Sequence, residues 1–313
     1  MLSNMGSKLK IVFAGTPANA AQTLKALHSS GIEILGVVTR TDSVVGRQKT
    51  LTPSPVSEMA TSLGLNVLKT NSLDDAAVSW MKSLAPDLGV VVAYGSIFNK
   101  NALYVPKLGW INLHYSLLPD LPGPAPVQHA LLLGASVTGV TVFRLDEGID
   151  SGPIVAQSEV AIEEADNAGT LLVRLTSIGS ELLSKTLIEG ESAITSAVKQ
   201  EGIAGAYANK PTRDLAKLDF NKNVHEQLNK IRAMNPEPMA WFESNGAAVR
   251  VIKARLLETP LETEGLARLV GKELVVDCSG GSLVLEVVQP SGKQEMNGAD
   301  WFRGLRVETL KLS

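Results

Sequence analysis

Short apolar runs alternate with stretches of helical spacing through the first third of the chain. Ile11-Val12-Phe13-Ala14-Gly15 reads as a buried strand that feeds a helix over Asn19 to Ser29. Ile32 to Thr39 is a second strand. Residues 40–55 are polar and hold Gly46, Pro53 and Pro55, the composition of a long loop, and a helix follows to about Leu63. Asp74 to Leu84 is another helix, Leu88 to Ala93 a central strand and Trp110 to His114 the next. Apolar strands separated by helices predict a doubly wound, mostly parallel sheet of the α/β class, covered on both faces. After His114 the pattern changes. Ser116 to Pro126 carries Pro119, Pro122, Pro124 and Pro126 and reads as an ordered loop. A helix over Gln128 to Leu133 follows, then strands at Thr138–Leu145 and Gly152–Val160 around a turn from Asp146 to Ser151. A long helix from Ala168 to Glu189 closes the first domain. Ile203 to Pro211 is the connection. A helix at Val224–Ala233 and strands at Ala248–Ala254, Glu273–Asp277 and Leu283–Val288 predict a small β-barrel or sandwich.

The length of 313 residues suits two domains. We place them at 1–202 and 211–313, with a linker at 203–210. Hydrophobic residues are 44% of the chain and charged residues 19%, which excludes disorder over most of it. No apolar run approaches the roughly 18 residues of a spanning helix. The first eight residues lack the apolar core of a signal peptide, so a cytoplasmic protein is expected. The single cysteine, Cys278, has no partner for an internal disulfide. The net charge is −3, not the basic balance of a dedicated DNA-coating protein. Residues 207–313 hold 15 Lys and Arg against 14 Asp and Glu. Charge therefore neither announces a nucleic-acid substrate nor excludes one.

Asn112 and His114 are two apart on a predicted strand and so face the same side, at its carboxyl end. That end is where open α/β sheets bind ligands. An amide beside an imidazole can hold an oxyanion and handle a proton; the same spacing also suits a capped strand end with a hydrogen-bonded His. Asp150, between Gly148 and Gly152, could orient His114 or a water, or be a solvated turn residue. Gly15-Thr16-Pro17 is not the dinucleotide-binding G-x-G-x-x-G, and Pro17 lacks an N–H donor. There is no P-loop. Arg40, Arg47 and Lys49 share the long loop with Asp42. They could grip phosphates or simply be solvated. The four His (28, 114, 129 and 225) are too scattered for a metal-ligand set, so no metal is expected.

Taken together, these segments resemble the methionyl-tRNA formyltransferase family of the 10-formyltetrahydrofolate-dependent formyltransferase superfamily. The likeness runs in order along nearly the whole chain. It covers Ile11 to Pro17, Leu51-Thr52-Pro53-Ser54-Pro55-Val56 and Val91-Val92-Ala93-Tyr94-Gly95. It continues through Asn112-Leu113-His114-Tyr115-Ser116-Leu117-Leu118-Pro119, Ala125-Pro126-Val127-Gln128 and Asp146 to Gly152. In the second domain it takes in Ile231 to Pro236, Leu285 to Gly292 and Ala299-Asp300. Asn-x-His-x-Ser-Leu-Leu-Pro followed by Gly-x-Asp-x-Gly is specific to the superfamily; the polar loop and the C-terminal domain narrow it to the tRNA enzymes.

The resemblance implies a Rossmann-like first domain and an OB-like second one. It implies formyl transfer from 10-formyltetrahydrofolate, bound as a donor substrate, to the α-amine of methionyl initiator tRNA, by a monomer without metal or membrane. Asn112, His114 and Asp150 fall on the family's catalytic positions. Tyr94, Ile97, Ser116, Leu117, Leu118 and Pro119 fall on its folate-binding stretches. Arg40, Arg47 and Lys49 fall where the family meets the tRNA acceptor end. The chain departs from the family pattern in four places. Pro122 stands for an Arg, Tyr115 for a small residue, Asn19 for a Phe and Gln48 for a Gly. Tyr115 either narrows access to the site or points to the opposite face of its strand. The competing readings are a formyltransferase acting on an amino sugar or on glycinamide ribonucleotide, a hydrolase of the same folate, and a non-catalytic RNA-binding relative. The C-terminal domain separates the tRNA reading from a stand-alone glycinamide enzyme.

Overall fold

The computed structural model describes residues 8–46, 49–202, 205–257 and 263–312. Compactness divides it into two units. The first runs to Gly123 and adds Thr138–Val160 and Leu172–Tyr207; the second takes Pro124–Val137, Ala161–Leu171 and Ala208 onward.

The chain opens with β1 (Lys10–Gly15), α1 (Ala18–Ser29), β2 (Glu33–Thr39), β3 (Ser43–Val45), β4 (Thr50–Thr52), α2 (Pro55–Ser62), β5 (Val67–Lys69), α3 (Asp75–Leu84), β6 (Leu88–Val92), α4 (Lys100–Leu103) and β7 (Trp110–His114). It continues through α5 (Pro126–Leu132), β8 (Val137–Arg144), β9 (Ile154–Ala161), α6 (Ala168–Glu189) and α7 (Glu191–Thr195). The first sheet has the order β5-β2-β1-β6-β7-β8-β9. Pairing is parallel from β5 to β7, and β8 returns antiparallel to β7. This is a Rossmann-like sheet dominated by parallel strands. The strand order reverses between β1 and β6, so a crevice opens at their carboxyl ends. Thr16 there donates from Oγ1 to the Tyr94 carbonyl at 2.8 Å.

Helix starts follow their caps. Asp74 accepts from the Ala77 N–H at 3.0 Å and opens α3. Ser54 caps α2 and shares a 2.6 Å hydrogen bond with Thr39, tying that helix to the end of β2. Val12, Val38, Val91, Tyr94 and Trp110 meet in one core cluster, and the Trp110 indole donates to the Ala102 carbonyl at 2.9 Å.

Two expectations need correction. The loop at 40–55 contains an antiparallel hairpin, β3 with β4, which the run of polar residues concealed. The expected helix at Gln128–Leu133 begins two residues earlier, with Pro126 in its first turn, where a missing N–H costs nothing.

The second unit holds α8 (Val224–Met234), β10 (Trp241–Ser244), β11 (Ala247–Leu257), β12 (Leu266–Val270), β13 (Glu273–Cys278), β14 (Gly281–Pro290), β15 (Met296–Asn297), α9 (Gly298–Gly304) and β16 (Thr309–Lys311). Its strands run β10-β11-β14-β13-β12-β16 and pair antiparallel, forming a curled half-barrel. Phe220, Phe242 and Trp301 stack edge-on at its centre. Asp277, fully buried, is paired with Arg268 and accepts from Ser282 at 2.7 Å. Burial pushes the Cys278 thiol up to about 12, so it stays protonated.

Candidate active site

Period-2 alternation along β7 sends Asn112 and His114 to one face and Leu113 to the other. Thr141 stands opposite His114 across β8, and Phe143 opposite Asn112; the His114 and Phe143 rings meet edge-on at 6.4 Å. His114 is only 6% exposed. Its Nε2 lies 3.1 Å from the Leu121 carbonyl. A carbonyl oxygen only accepts, so Nε2 carries the proton of the neutral ring and Nδ1 holds the lone pair. Nδ1 is 3.8 Å from Oδ2 of Asp150. Burial lowers the imidazole's proton affinity and Asp150 opposes it; the balance is downward, so the resting ring is neutral at pH 7. A base is thus poised beside a carboxylate that can stabilise it once protonated. Asn112 adds a buried side-chain oxygen with no hydrogen-bond partner among the described residues, an unusual state for a buried amide and one that a substrate donor would relieve.

Asp150 is held from three directions. Its Oδ2 accepts from the Gly123 N–H at 2.8 Å. Gln200 donates to the carbonyls of Asp150 and Gly152 at 2.8 and 2.9 Å. Asp146 closes the turn by accepting from the Gly148 N–H and the Ser151 hydroxyl, at 2.9 and 3.0 Å. Asp150 itself has φ +52°. A Cβ on Gly152 would come 1.8 Å from the Arg144 carbonyl oxygen, so only glycine fits there.

The stretch after His114 is equally fixed. Ser116 donates to the Asp120 carbonyl at 2.6 Å. Leu118 is buried, and its peptide bond to Pro119 is cis. Thr141, fully buried, donates to the Ser116 carbonyl at 2.6 Å and accepts from the Leu118 N–H at 3.1 Å. Gln157 donates to the Leu118 carbonyl at 2.8 Å and to Thr141 at 2.9 Å. Leu117 and Pro119 are half-buried. Sequence reading missed Thr141, Gln157, Gln200 and the Leu121 carbonyl. They are polar positions on strands or loops and carry no motif of their own.

The remaining candidates fall at different places. Tyr94 is buried in the core with its hydroxyl on the Thr70 carbonyl at 2.8 Å. Ile97, three residues on, is 90% exposed. Arg40 donates to the Gly95 carbonyl at 2.7 Å, so it lies beside that same loop. Lys49 is exposed at the turn of the β3–β4 hairpin. Arg47 lies outside the described residues. Tyr115 points away from Asn112 and His114, into the protein, and so does not narrow the site; its hydroxyl meets Asn19. Among the described residues no three His, Cys, Asp or Glu side chains gather as a metal site.

Residues 9–187 match the family described as formyl transferase, and residues 210–306 match its C-terminal domain. A methionyl-tRNA formyltransferase from Renibacterium salmoninarum is 38% identical over 95% of this chain and 97% of its own length. The chain belongs to the methionyl-tRNA formyltransferase family. A second member, from Bacillus subtilis, is 38% identical over 96% of each chain. The fold is also that of WlaRD, a sugar 3N-formyl transferase solved with dTDP and 5-N-formyl-THF. That likeness has a TM-score of 0.64 at 19% identity and covers 92% of this chain and 100% of the other. In this chain Asn112 and His114 lie at the carboxyl end of β7 with Asp150 beside them, one strand over from the switch point between β1 and β6.

Proposed function

We propose that this protein transfers the formyl group of 10-formyltetrahydrofolate to the α-amine of methionyl initiator tRNA. The observation that carries the reading is the cluster itself. A neutral imidazole with its Nδ1 lone pair toward Asp150 and a buried, unpaired amide oxygen stand on one strand face of a formyltransferase.

The residues suggest the following chemistry. The uncharged amine attacks the formyl carbon, and the carbonyl oxygen becomes an oxyanion. The Asn112 amide N–H stabilises that charge, as preorganised donors do in a water-poor site. The amine, now cationic, loses its proton to His114 Nδ1. Asp150 stabilises the imidazolium, whose Nε2–H keeps donating to the Leu121 carbonyl. Collapse of the tetrahedral adduct breaks the bond to N10 of the folate. His114 returns its proton to that nitrogen, leaving formyl-methionyl-tRNA and tetrahydrofolate. Much of the rate comes from holding two bulky substrates together.

The folate would lie along Ser116 to Pro119 and near Tyr94 and Ile97. Since Tyr94's side chain is committed to the core, its share of folate contact falls to its backbone. The acceptor end would meet Arg40, Arg47 and Lys49. Residues 1–202 would then serve as the catalytic domain, 203–210 as the link and 211–313 as an OB-like tRNA-holding domain, in a cytoplasmic monomer. Incubating the protein with 10-formyltetrahydrofolate and charged methionyl initiator tRNA, then hydrolysing the ester, should release N-formylmethionine. Formylation of glycinamide ribonucleotide or an amino sugar instead, with none on the tRNA, would overturn the reading.

A further inference from the structure

The inner face of β7 is covered by α1 and α6. Leu113 lies against Gly179 of α6, where an added Cβ would sit 2.9 Å from Leu113 Cδ1. Tyr115, the residue after His114, is 7% exposed. Its hydroxyl accepts from Asn19 Nδ2 at 2.9 Å and lies 3.5 Å from Thr176 Oγ1. Thr176 Oγ1 also lies 2.7 Å from the Leu172 carbonyl, to which it donates. Asn19 belongs to the first turn of α1, and its carbonyl accepts from Thr23 Oγ1 at 3.0 Å. Ser180 Oγ in turn lies 2.9 Å from Thr23 Oγ1. A buried hydroxyl chain thus runs from α6 through Thr23 and Asn19 to the strand end that carries His114. Asn19, in the first turn of α1, thus bonds the residue that directly follows β7.

We propose that Asn19 and Tyr115 are a matched pair of positioning residues that fixes the carboxyl end of β7, and with it His114 and Asn112, by clamping it to the first turn of α1. The proposal rests on the reading that these two residues carry the transfer. Three features support a role beyond packing. The clamp is one peptide from His114, so a rotation of the backbone at Tyr115 turns the imidazole. The phenol is buried, so losing its hydroxyl takes away the acceptor of the Asn19 amide N–H, and losing Asn19 takes away the shorter of the hydroxyl's contacts with Asn19 and Thr176. Both positions also depart from the family's pattern, Asn for Phe and Tyr for a small residue, and the structure puts them in contact.

The test is a set of variants in the full-length chain: N19A, Y115F, the N19A/Y115F double, N19F, and the N19F/Y115A exchange. Each is assayed for formyl transfer and for the imidazole NMR resonances of His114, assigned by their loss in His114→Ala. N19A and Y115F should each lower kcat by about tenfold, because small misplacements of a reacting group are costly. KM for both substrates should stay within about twofold. The His114 resonances should move in both variants. The double should be no slower than the worse single, and N19F, which drives a ring into Tyr115, should be the slowest of the set. The exchange should recover to within about threefold of the unsubstituted rate. Variants that melt earlier but keep kcat and the His114 resonances would make the pair structural only and overturn the proposal; so would additive losses in the double. If the unsubstituted protein formylates no tRNA, the functional reading fails separately. The resonances still decide the clamp: moved by N19A and Y115F, it stands; unmoved, it falls.

Discussion

The stretches at 116–121 and 146–152 and the hairpin at 43–52 belong to the same unit and are built on opposite lines. In the first two, side chains and backbone groups are bonded to one another at every turn: Ser116 to Asp120, Thr141 to Ser116 and Leu118, Gln157 to Leu118, Asp146 to Gly148 and Ser151. The hairpin is a pair of three-residue strands whose Val44 and Leu51 are 61% and 66% exposed. Two-stranded ribbons of that length have little stability of their own. The stretches around His114 and Asp150 are braced by the chain itself, as the proposed role of those two residues requires. The hairpin leaves Val44, Leu51 and Lys49 exposed, and in the proposed reading they face the tRNA.

The largest effects should come from breaking the preorganised side. Asn112→Ala removes the proposed oxyanion donor and should cost about 10²–10³ in kcat. His114→Ala removes the proposed general base, a change typically worth about 10²–10⁴. Steady-state kinetics with circular dichroism of each variant check both, and near-normal turnover in folded protein would dismiss the cluster. Asp150→Asn should be milder and more informative. Asp150 now holds the imidazole's proton affinity up against burial. Without that charge His114 titrates lower still, so the acidic limb of the pH–rate profile should move to lower pH. The plateau should fall by about tenfold for each pH unit of lost imidazolium stabilisation. A limb that stays in place would mean that another group sets it.

Weakening the bracing should come next in size. Gln157→Leu leaves the Leu118 carbonyl without its donor. An unsatisfied buried acceptor costs about 1–3 kcal/mol, and the loss should appear mainly as a higher KM for the folate, with the tRNA KM unchanged. A fall in kcat alone would place Gln157 with the reacting groups instead.

Where the juxtaposition of Asn112, His114 and Asp150 was legible in advance, the reason is local. Asn112 and His114 sit on a strand whose end the apolar run Trp110-Ile111 already marks, and Asp150 sits between glycines that the turn demands; Gly152 faces the Arg144 carbonyl at a distance no side chain tolerates. The sheet was legible because buried parallel strands are uniformly apolar. What escaped was set by tertiary contact. Whether Tyr115 faced the site or the core depended on α6, far along the chain. Thr141 and Gln157 look like ordinary polar positions of alternating strands until the fold brings the Ser116 and Leu118 backbone groups against them. The β3–β4 hairpin escaped because its apolar residues are few and exposed, so no burial pattern marks it.

The smallest effects should come from the hairpin, and they test its half of the contrast. A phosphate contact releases counterions, so each basic residue that meets the tRNA backbone contributes about 0.7–0.9 to the slope of log affinity against log salt. Arg47→Ala and Lys49→Ala should each raise KM for charged tRNA several-fold at low salt and flatten that slope by about one contact. Neither should move the folate KM or the plateau kcat, because neither residue belongs to the braced stretches around His114. Arg40→Ala should behave differently. Its guanidinium already serves the Gly95 carbonyl, so its loss should disturb the loop between Tyr94 and Ile97 and raise both KM values. The measurement is a titration of each substrate at saturating levels of the other, repeated at three salt concentrations. If Arg47→Ala and Lys49→Ala leave the tRNA KM and its salt slope unchanged, the hairpin does not grip the acceptor. The exposure of Val44 and Leu51 then needs another partner.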